Sequence, residues 1–284
     1  MKIQFADNLR LEVCEVINSM LPTSLETRMA VAFVKYSGLR IIEPALDKCL
    51  ENGGSVEFII GLDFRTTDSQ SLRAISAKTK QSPLCRLYCY SDPSDNVDTY
   101  HPKVYLFDKG HTVKSMVGSS NLTRGGLKDN VEINVILSFD KQDENLETLL
   151  DIYARIKYQP TCFVPDSEYI DAYDETIKQA ATSTIKIESN KDVRKALEFL
   201  RKKEQTLPKP YTAPNTLQGW QKLVYSKLPL TEFNTSFLHQ YISEFQRAYP
   251  DNQNIEAKIR QVLQQLRDLG LITHVKEGRW IKGQ

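Results

Sequence analysis

Residues 100–132 read YHPKVYLFDKGHTVKSMVGSSNLTRGGLKDNVE, and the fold turns on how this stretch is laid out. Residues 103–108 and 113–118 are short, largely apolar runs separated by Lys109-Gly110-His111-Thr112, which predicts two neighbouring strands. His101 and Lys103 lie two apart and so project from one face of an extended chain. The second strand ends in Gly118-Ser119-Ser120-Asn121. Glycine there permits close backbone approach, and Ser119 and Asn121 supply hydrogen-bonding side chains. Side by side, the strands gather an imidazole, an ammonium, a hydroxyl and an amide, a suitable cradle for a tetrahedral phosphate. Lys103 and Asn121 would stabilise the charged oxygens and His101 would be the nucleophile. Ser120 and His111 read as turn residues.

Outward from this window, strand-like runs at 28–35, 55–61, 85–90 and 131–138 alternate with helix-like stretches at 9–21, 39–51, 68–79 and 141–157. The alternation predicts an α/β layered domain over residues 1–165, with a sheet buried on both faces. In the first helix Leu9, Val13, Val16, Ile17 and Met20 share helical spacing. Residues 166–214 form a helical or linker region: 166–190 is polar, 191–203 places Val193, Ala196, Leu197 and Leu200 on one face, and Pro208, Pro210 and Pro214 follow. A dimer-supporting helix and a linker are both open there.

Residues 215–284 read as a small winged-helix domain. Helices at 236–248 and 254–269 precede Gly270, a natural helix stop, and 271–282 predicts a hairpin around Glu277-Gly278. Six cations, Lys258, Arg260, Arg267, Lys276, Arg279 and Lys282, face four acids between 251 and 284. Their placement on the second helix and the wing predicts contact with a DNA groove and its phosphates. Trp280 is expected to pack against the helices.

The bulk composition excludes little. Net charge is +1, with 37 basic against 36 acidic residues, so any nucleic-acid footprint must be local. Five cysteines without disulfide-like spacing, no apolar leader in Met1–Arg10 and no apolar run near ~18 residues predict a reduced cytoplasmic protein without a membrane span. Cys85 and Cys89 are four apart, ~13 Å along a strand; no metal and no cofactor is expected.

The order His101-x-Lys103, four residues, Asp108, then Gly118-Ser119-x-Asn121 and on to Glu132 resembles the His-Lys-Asp motif of the phospholipase D superfamily, most of all its bacterial restriction-endonuclease branch. Ile259 to Leu271, IRQVLQQLRDLGL, resembles the winged-helix module of methyl-directed and Dam-replacing restriction enzymes. The first resemblance implies a phospholipase D-like α/β/α domain and a metal-independent hydrolysis through a phosphohistidine on His101. Lys103, Asn121 and Ser119 would hold the phosphoryl group, Glu132 would orient the imidazole, and Asp108 and Gly118 would support the site. A second histidine is needed, and His111, His239 and His274 lie outside the motif. Relatives with one motif per chain pair two chains, so the resemblance implies a homodimer with both copies of His101 in one site.

The expected function is therefore a DNA endonuclease of restriction or phage-defence type acting on double-stranded DNA. The alternatives are a phospholipid phosphodiesterase, and a partner-gated nuclease subunit acting mainly in DNA binding, whose methyltransferase or ATPase/helicase partner the sequence does not identify.

Overall fold

The computed structural model describes residues 2–63, 66–92, 99–182, 191–208, 210, 213–276 and 278–283. It divides into two compact units, residues 1–141 with 159–210, and residues 142–158 with 211–284.

The first unit is built on an eight-stranded sheet. Its parallel heart is β2 (Glu26–Val31), β3 (Ser55–Gly61) and β4 (Cys85–Tyr90), joined by helices α2 (Tyr36–Glu51) and α3 (Ser69–Gln81). These strands are apolar on both faces, as Phe58, Ile59 and Ile60 show by being buried in succession. β5 (Lys103–Asp108) then runs antiparallel to β2, β6 (Thr112–Gly118) antiparallel to β5, and β7 (Asn134–Asp140) antiparallel to β6. β1 (Lys2–Ala6) forms the edge beside β7, and β8 (Cys162–Phe163) the edge beside β4. Among the described residues, no helix is long and apolar enough to cross a membrane.

The direction of β5 places the site. Its first residue, Lys103, pairs with the last of β2, Val31. The start of β5, the end of β6 at Gly118 and the start of β7 at Asn134 thus gather where β2, β3 and β4 finish. A Cβ on Gly118 would overlap the Ile133 carbonyl oxygen, so this close crossing of β6 and β7 requires glycine.

Three sequence expectations are corrected. Helix α1 spans Val13–Met20 rather than starting at residue 9. Asn8 stops it: with φ at +61° its side chain accepts the Val13 N–H and donates to the Gly126 and Asn130 carbonyls, leaving Leu9 72% exposed. The sheet is buried on both faces only toward its middle, because Ile3 and Phe5 on β1 face solvent. Polar residues 166–190 conceal a helix, α5 (Ser167–Thr182), which pairs with α6 (Lys191–Thr206). Tyr169, Tyr173 and Leu200 from this pair, with Leu207 just after it, join the main core, so the segment is packed structure. Residues 183–190, Lys209, Glu277 and the Val193 side chain lie outside the described residues.

The second unit carries α7 (Gly219–Lys227), β9 (Phe233–Asn234), a 3₁₀ turn (Thr235–Tyr241) running into α8 (Ile242–Ala248), α9 (Ile255–Asp268), and the pair β10 (Ile272–Lys276) and β11 (Arg279–Lys282). Trp220, Val224, Phe245, Ile259, Val262, Leu263 and Leu266 form its core. Asn254 caps α9 by accepting the Ala257 N–H, and Gly270, at φ +72°, ends it as the Leu271 N–H reaches back to Leu266 O. Trp280 packs in this core with the His274 ring edge-on against it.

Helix α4 (Glu144–Lys157), placed by the sequence reading in a 1–165 domain, belongs to this second unit. Its acidic face explains why. Glu147 accepts from Tyr249 Oη at 2.8 Å, and Asp151 accepts from Gln221 at 2.7 Å and from the Gln265 amide. Burial pushes the pKa of both carboxylates up, against the pull of Lys258. A carboxyl with a raised folded-state pKa stabilises below its ordinary range and loses that contribution as pH rises through the folded value. The melting temperature of the second unit should accordingly fall less steeply between mildly acidic and neutral pH in Glu147→Gln than in the wild type. Identical slopes in a pH-resolved thermal melt would show that Glu147 is not held in its buried environment.

Candidate active site

His101 is exposed and precedes β5, whereas Lys103 is only 7% exposed at the strand's first position. The Lys103 ammonium lies 2.8 Å from His101 Nδ1 and donates to the His101 carbonyl at 2.9 Å. Burial lowers the Lys103 pKa, against a raising influence from the Glu132 charge. Burial, then the Lys103 charge, lowers the His101 pKa, so the imidazole is neutral at neutral pH. An ammonium can only donate, so this contact assigns Nδ1 as acceptor and puts the imidazole proton on Nε2.

The Ser119 hydroxyl donates to the Glu132 carboxylate and accepts the Ile133 N–H at 3.0 Å. The other Glu132 oxygen accepts from Asn130 at 3.4 Å. The sequence reading set Glu132 against the imidazole; the structure puts its carboxylate on Ser119 and sets Lys103 at Nδ1. Asn121 is buried, and its Oδ1 accepts the Phe33 N–H at 3.3 Å, which leaves Nδ2 as the group able to donate to a ligand. Asp108, at the far end of β5, accepts the Gly110 N–H at 2.7 Å and pairs with Lys141 at 3.0 Å, roughly 16 Å of strand away from Lys103.

Residues passed over in the sequence hold this cluster. Ser120, read as a turn residue, is fully buried. Its Oγ accepts from Asn134 Nδ2 at 2.8 Å, its N–H donates to Asn134 Oδ1, and its carbonyl accepts from Tyr105 Oη at 3.0 Å. Asn134 gave no signal, because the 131–138 alternation sets it out of phase with Val131, Ile133 and Val135, yet it is Val131 and Ile133 that are exposed and Asn134 that is buried. Asp63, just beyond β3, accepts the Asp92 N–H at 2.9 Å and the Tyr100 N–H at 3.2 Å, fixing the residue before His101. Burial raises its pKa. Periodicity carried no signal for it. Among the described residues, no group of three His, Cys, Asp or Glu side chains could hold a metal ion.

The six cations between residues 251 and 284 are not equivalent. Arg267 pairs with Asp268, Arg279 with Glu232 at 3.0 Å, Lys282 lies 4.1 Å over the Tyr225 ring, and Lys258 lies 6.0 Å over the Trp220 ring. Arg260 and Lys276 are exposed with no ion pair among the described residues.

Residues 24–152 match the family described as cardiolipin synthase, PLD-like domain, and residues 218–282 match the Dam-replacing HTH domain. No curated protein matches the sequence. Among the solved structures that resemble parts of the chain are the following three. NucT from Helicobacter pylori is 16% identical, over 58% of this chain and 99% of that one, at a TM-score of 0.44. The phospholipase D family member Nuc from Salmonella typhimurium is 18% identical, over 55% and 93%, at 0.41. Phosphatidylserine synthase from Haemophilus influenzae Rd KW20 is 17% identical, over 71% and 44%, at 0.47. Likenesses this distant add nothing to the family matches, whose ranges fall on the eight-stranded sheet and on the small helical unit described above. The chain thus joins a phospholipase D-like domain to a Dam-replacing helix–turn–helix domain.

Proposed function

We propose that this chain is a DNA endonuclease of restriction or phage-defence type that hydrolyses phosphodiesters without metal, through a phosphohistidine in a site shared by two copies. The observation that carries the reading is the meeting of His101, Lys103 and Asn121 at one end of the sheet, in a chain whose other unit is a DNA-binding helix–turn–helix.

In this reading Lys103 and the Nδ2 of Asn121 donate to the non-bridging oxygens of the scissile phosphate. Nε2 of one His101 attacks phosphorus. The other copy's His101, held as an imidazolium, gives its Nε2 proton to the departing oxygen and becomes neutral. That second imidazole then takes a proton from water, whose oxygen displaces the first from phosphorus and restores both. The attacking copy needs its proton on Nδ1 and an acceptor there. Glu132, whose charge already reaches Lys103, is the carboxylate assigned to that task. The dimer reading draws support from the apolar residues beside the half-site: Ile133 is 71% and Phe5 64% exposed, and Val131 and Ile3 are also open.

Plasmid cleavage in EDTA should persist for the wild type and fall by at least about 10²-fold in His101→Ala, with Lys103→Ala and Asn121→Ala weakened in the same assay. Cleavage that needs Mg²⁺ would overturn the phosphohistidine. Headgroup release from phospholipid vesicles in place of DNA cutting would move the substrate class. Because the His101 pKa lies below its ordinary 6.5, the acid limb of the wild-type pH–rate profile should fall below that pH. In Lys103→Ala the residual activity should show this limb displaced upward, since the repelling ammonium is gone. Ile133→Lys should give monomers by light scattering and lose cleavage together with dimerisation. Active monomers would remove the shared site.

A further inference from the structure

Helix α9 presents a ladder of four residues at single-turn spacing on its open side: Glu256, Arg260, Gln264 and Asp268 are all exposed. Ile255, Ile259, Val262, Leu263 and Leu266 fill the opposite side and the core. The middle pair of the ladder is Arg260 and Gln264. Glu256 sits one turn before Arg260, the spacing at which acid and base commonly pair, yet no ion pair joins them. The outer acid Asp268 is occupied by Arg267. Of the six cations between 251 and 284, Arg267, Arg279, Lys282 and Lys258 are each engaged by an acid or an aromatic ring, which among the described residues leaves Arg260 on the helix and Lys276 on the wing.

Free guanidinium and free primary amide groups have distinct partners in a major groove. Arginine reaches O6 and N7 of guanine with two hydrogen bonds, and glutamine reaches N6 and N7 of adenine with two. A single positive point on the neighbouring strand pair suits a phosphate, with no base information. Four residues of helix advance ~6 Å, and stacked base pairs are ~3.4 Å apart, so two side chains one turn apart reach bases one to two steps apart.

We infer that Arg260 and Gln264 are the base-reading side chains of α9, Arg260 taking a guanine and Gln264 an adenine one or two base pairs away, while Lys276 holds a backbone phosphate. The assignment rests on DNA binding by the helix–turn–helix unit and is independent of whether the other unit cuts. It narrows the six candidate cations to two and adds an uncharged reader.

The test is selection from a randomised duplex pool at fixed salt, using the full chain with His101→Ala to prevent cleavage. The enriched sequences should contain a G·C and an A·T pair within two steps. Arg260→Lys, which keeps the charge and loses the fork, should lower the preference for G about tenfold while leaving that for A. Gln264→Ala should do the reverse. Lys276→Ala should weaken all sequences alike and reduce the salt slope by about one. Retention of the G preference in Arg260→Lys, of the A preference in Gln264→Ala, or the absence of any enriched sequence would overturn the assignment. Enrichment by a wild-type protein that never cuts DNA would remove the nuclease reading and leave this one standing.

Discussion

The antiparallel pairing of β5 onto β2 is the constraint on which the first unit depends. The parallel strands β2, β3 and β4 all finish at one end of the sheet. Had the next strand continued parallel, its first residues would lie at the opposite end. By reversing, β5 brings Lys103 beside Val31, and the β5–β6 and β6–β7 pairings bring Gly118 against Asn134 at that same end. A slip of one residue in the β2–β5 register would turn Lys103 to the other face and remove it from the imidazole. Several contacts hold this end. Asp63 fixes the Tyr100 backbone, Ser120 and Asn134 exchange hydrogen bonds, and Lys35 donates its N–H to Leu122, the neighbour of Asn121.

The electrostatics follow from that geometry. Lys103 is nearly buried, and burial works against its charge. An anionic phosphate would add to the Glu132 charge that favours the buried ammonium, so binding and protonation of Lys103 would reinforce each other. Burial and the same ammonium favour the neutral form of His101, which an attacking imidazole requires and a proton-donating one does not. A single imidazole has one proton and cannot be attacking base and donating acid together. The proposed hydrolysis thus asks for a second imidazole, and one copy of the chain provides one at this place.

What the sequence revealed depended on how strongly each feature was repeated along it. Strands 85–90 and 103–108 read to the residue because apolar side chains fill both faces. β1 escaped because its five residues KIQFA turn Ile3 and Phe5 outward, so the expected inward pattern is absent. The start of α1 was misplaced because periodicity continues through Leu9, while the left-handed Asn8 and its hydrogen bonds decide the start. Within the site, the chemical groups were legible as residue types at fixed offsets. Their partners were not. Nothing in the spacing says that Lys103 rather than Glu132 faces Nδ1, or that Ser120 is buried under Tyr105 and Asn134. The same holds for the winged helix, where a count of cations cannot tell Arg279, tied to Glu232, from Arg260.

The placement of α4 shows why domain limits are hard to read from a chain that crosses between units. Glu147 sits at the start of α7, where it accepts backbone N–H and meets the positive end of that helix. Gly219, at φ +53°, adopts a left-handed conformation that favours glycine, and a Cβ there would push the Glu147 carboxylate aside. Asp151 ties the same helix to Gln221 of α7 and Gln265 of α9. The winged helix is therefore completed by a segment about 60 residues upstream of α7, with 159–210 returning to the first unit between them. The chain passes from one unit to the other at 141, 158 and 210. Cutting it at residue 210 would strip α4 of the partners that its buried acids need, and would strip α7 of its N-terminal carboxylate. The helix–turn–helix unit is for this reason not separable, at the level of its own packing, from the polypeptide that forms the phospholipase D-like fold.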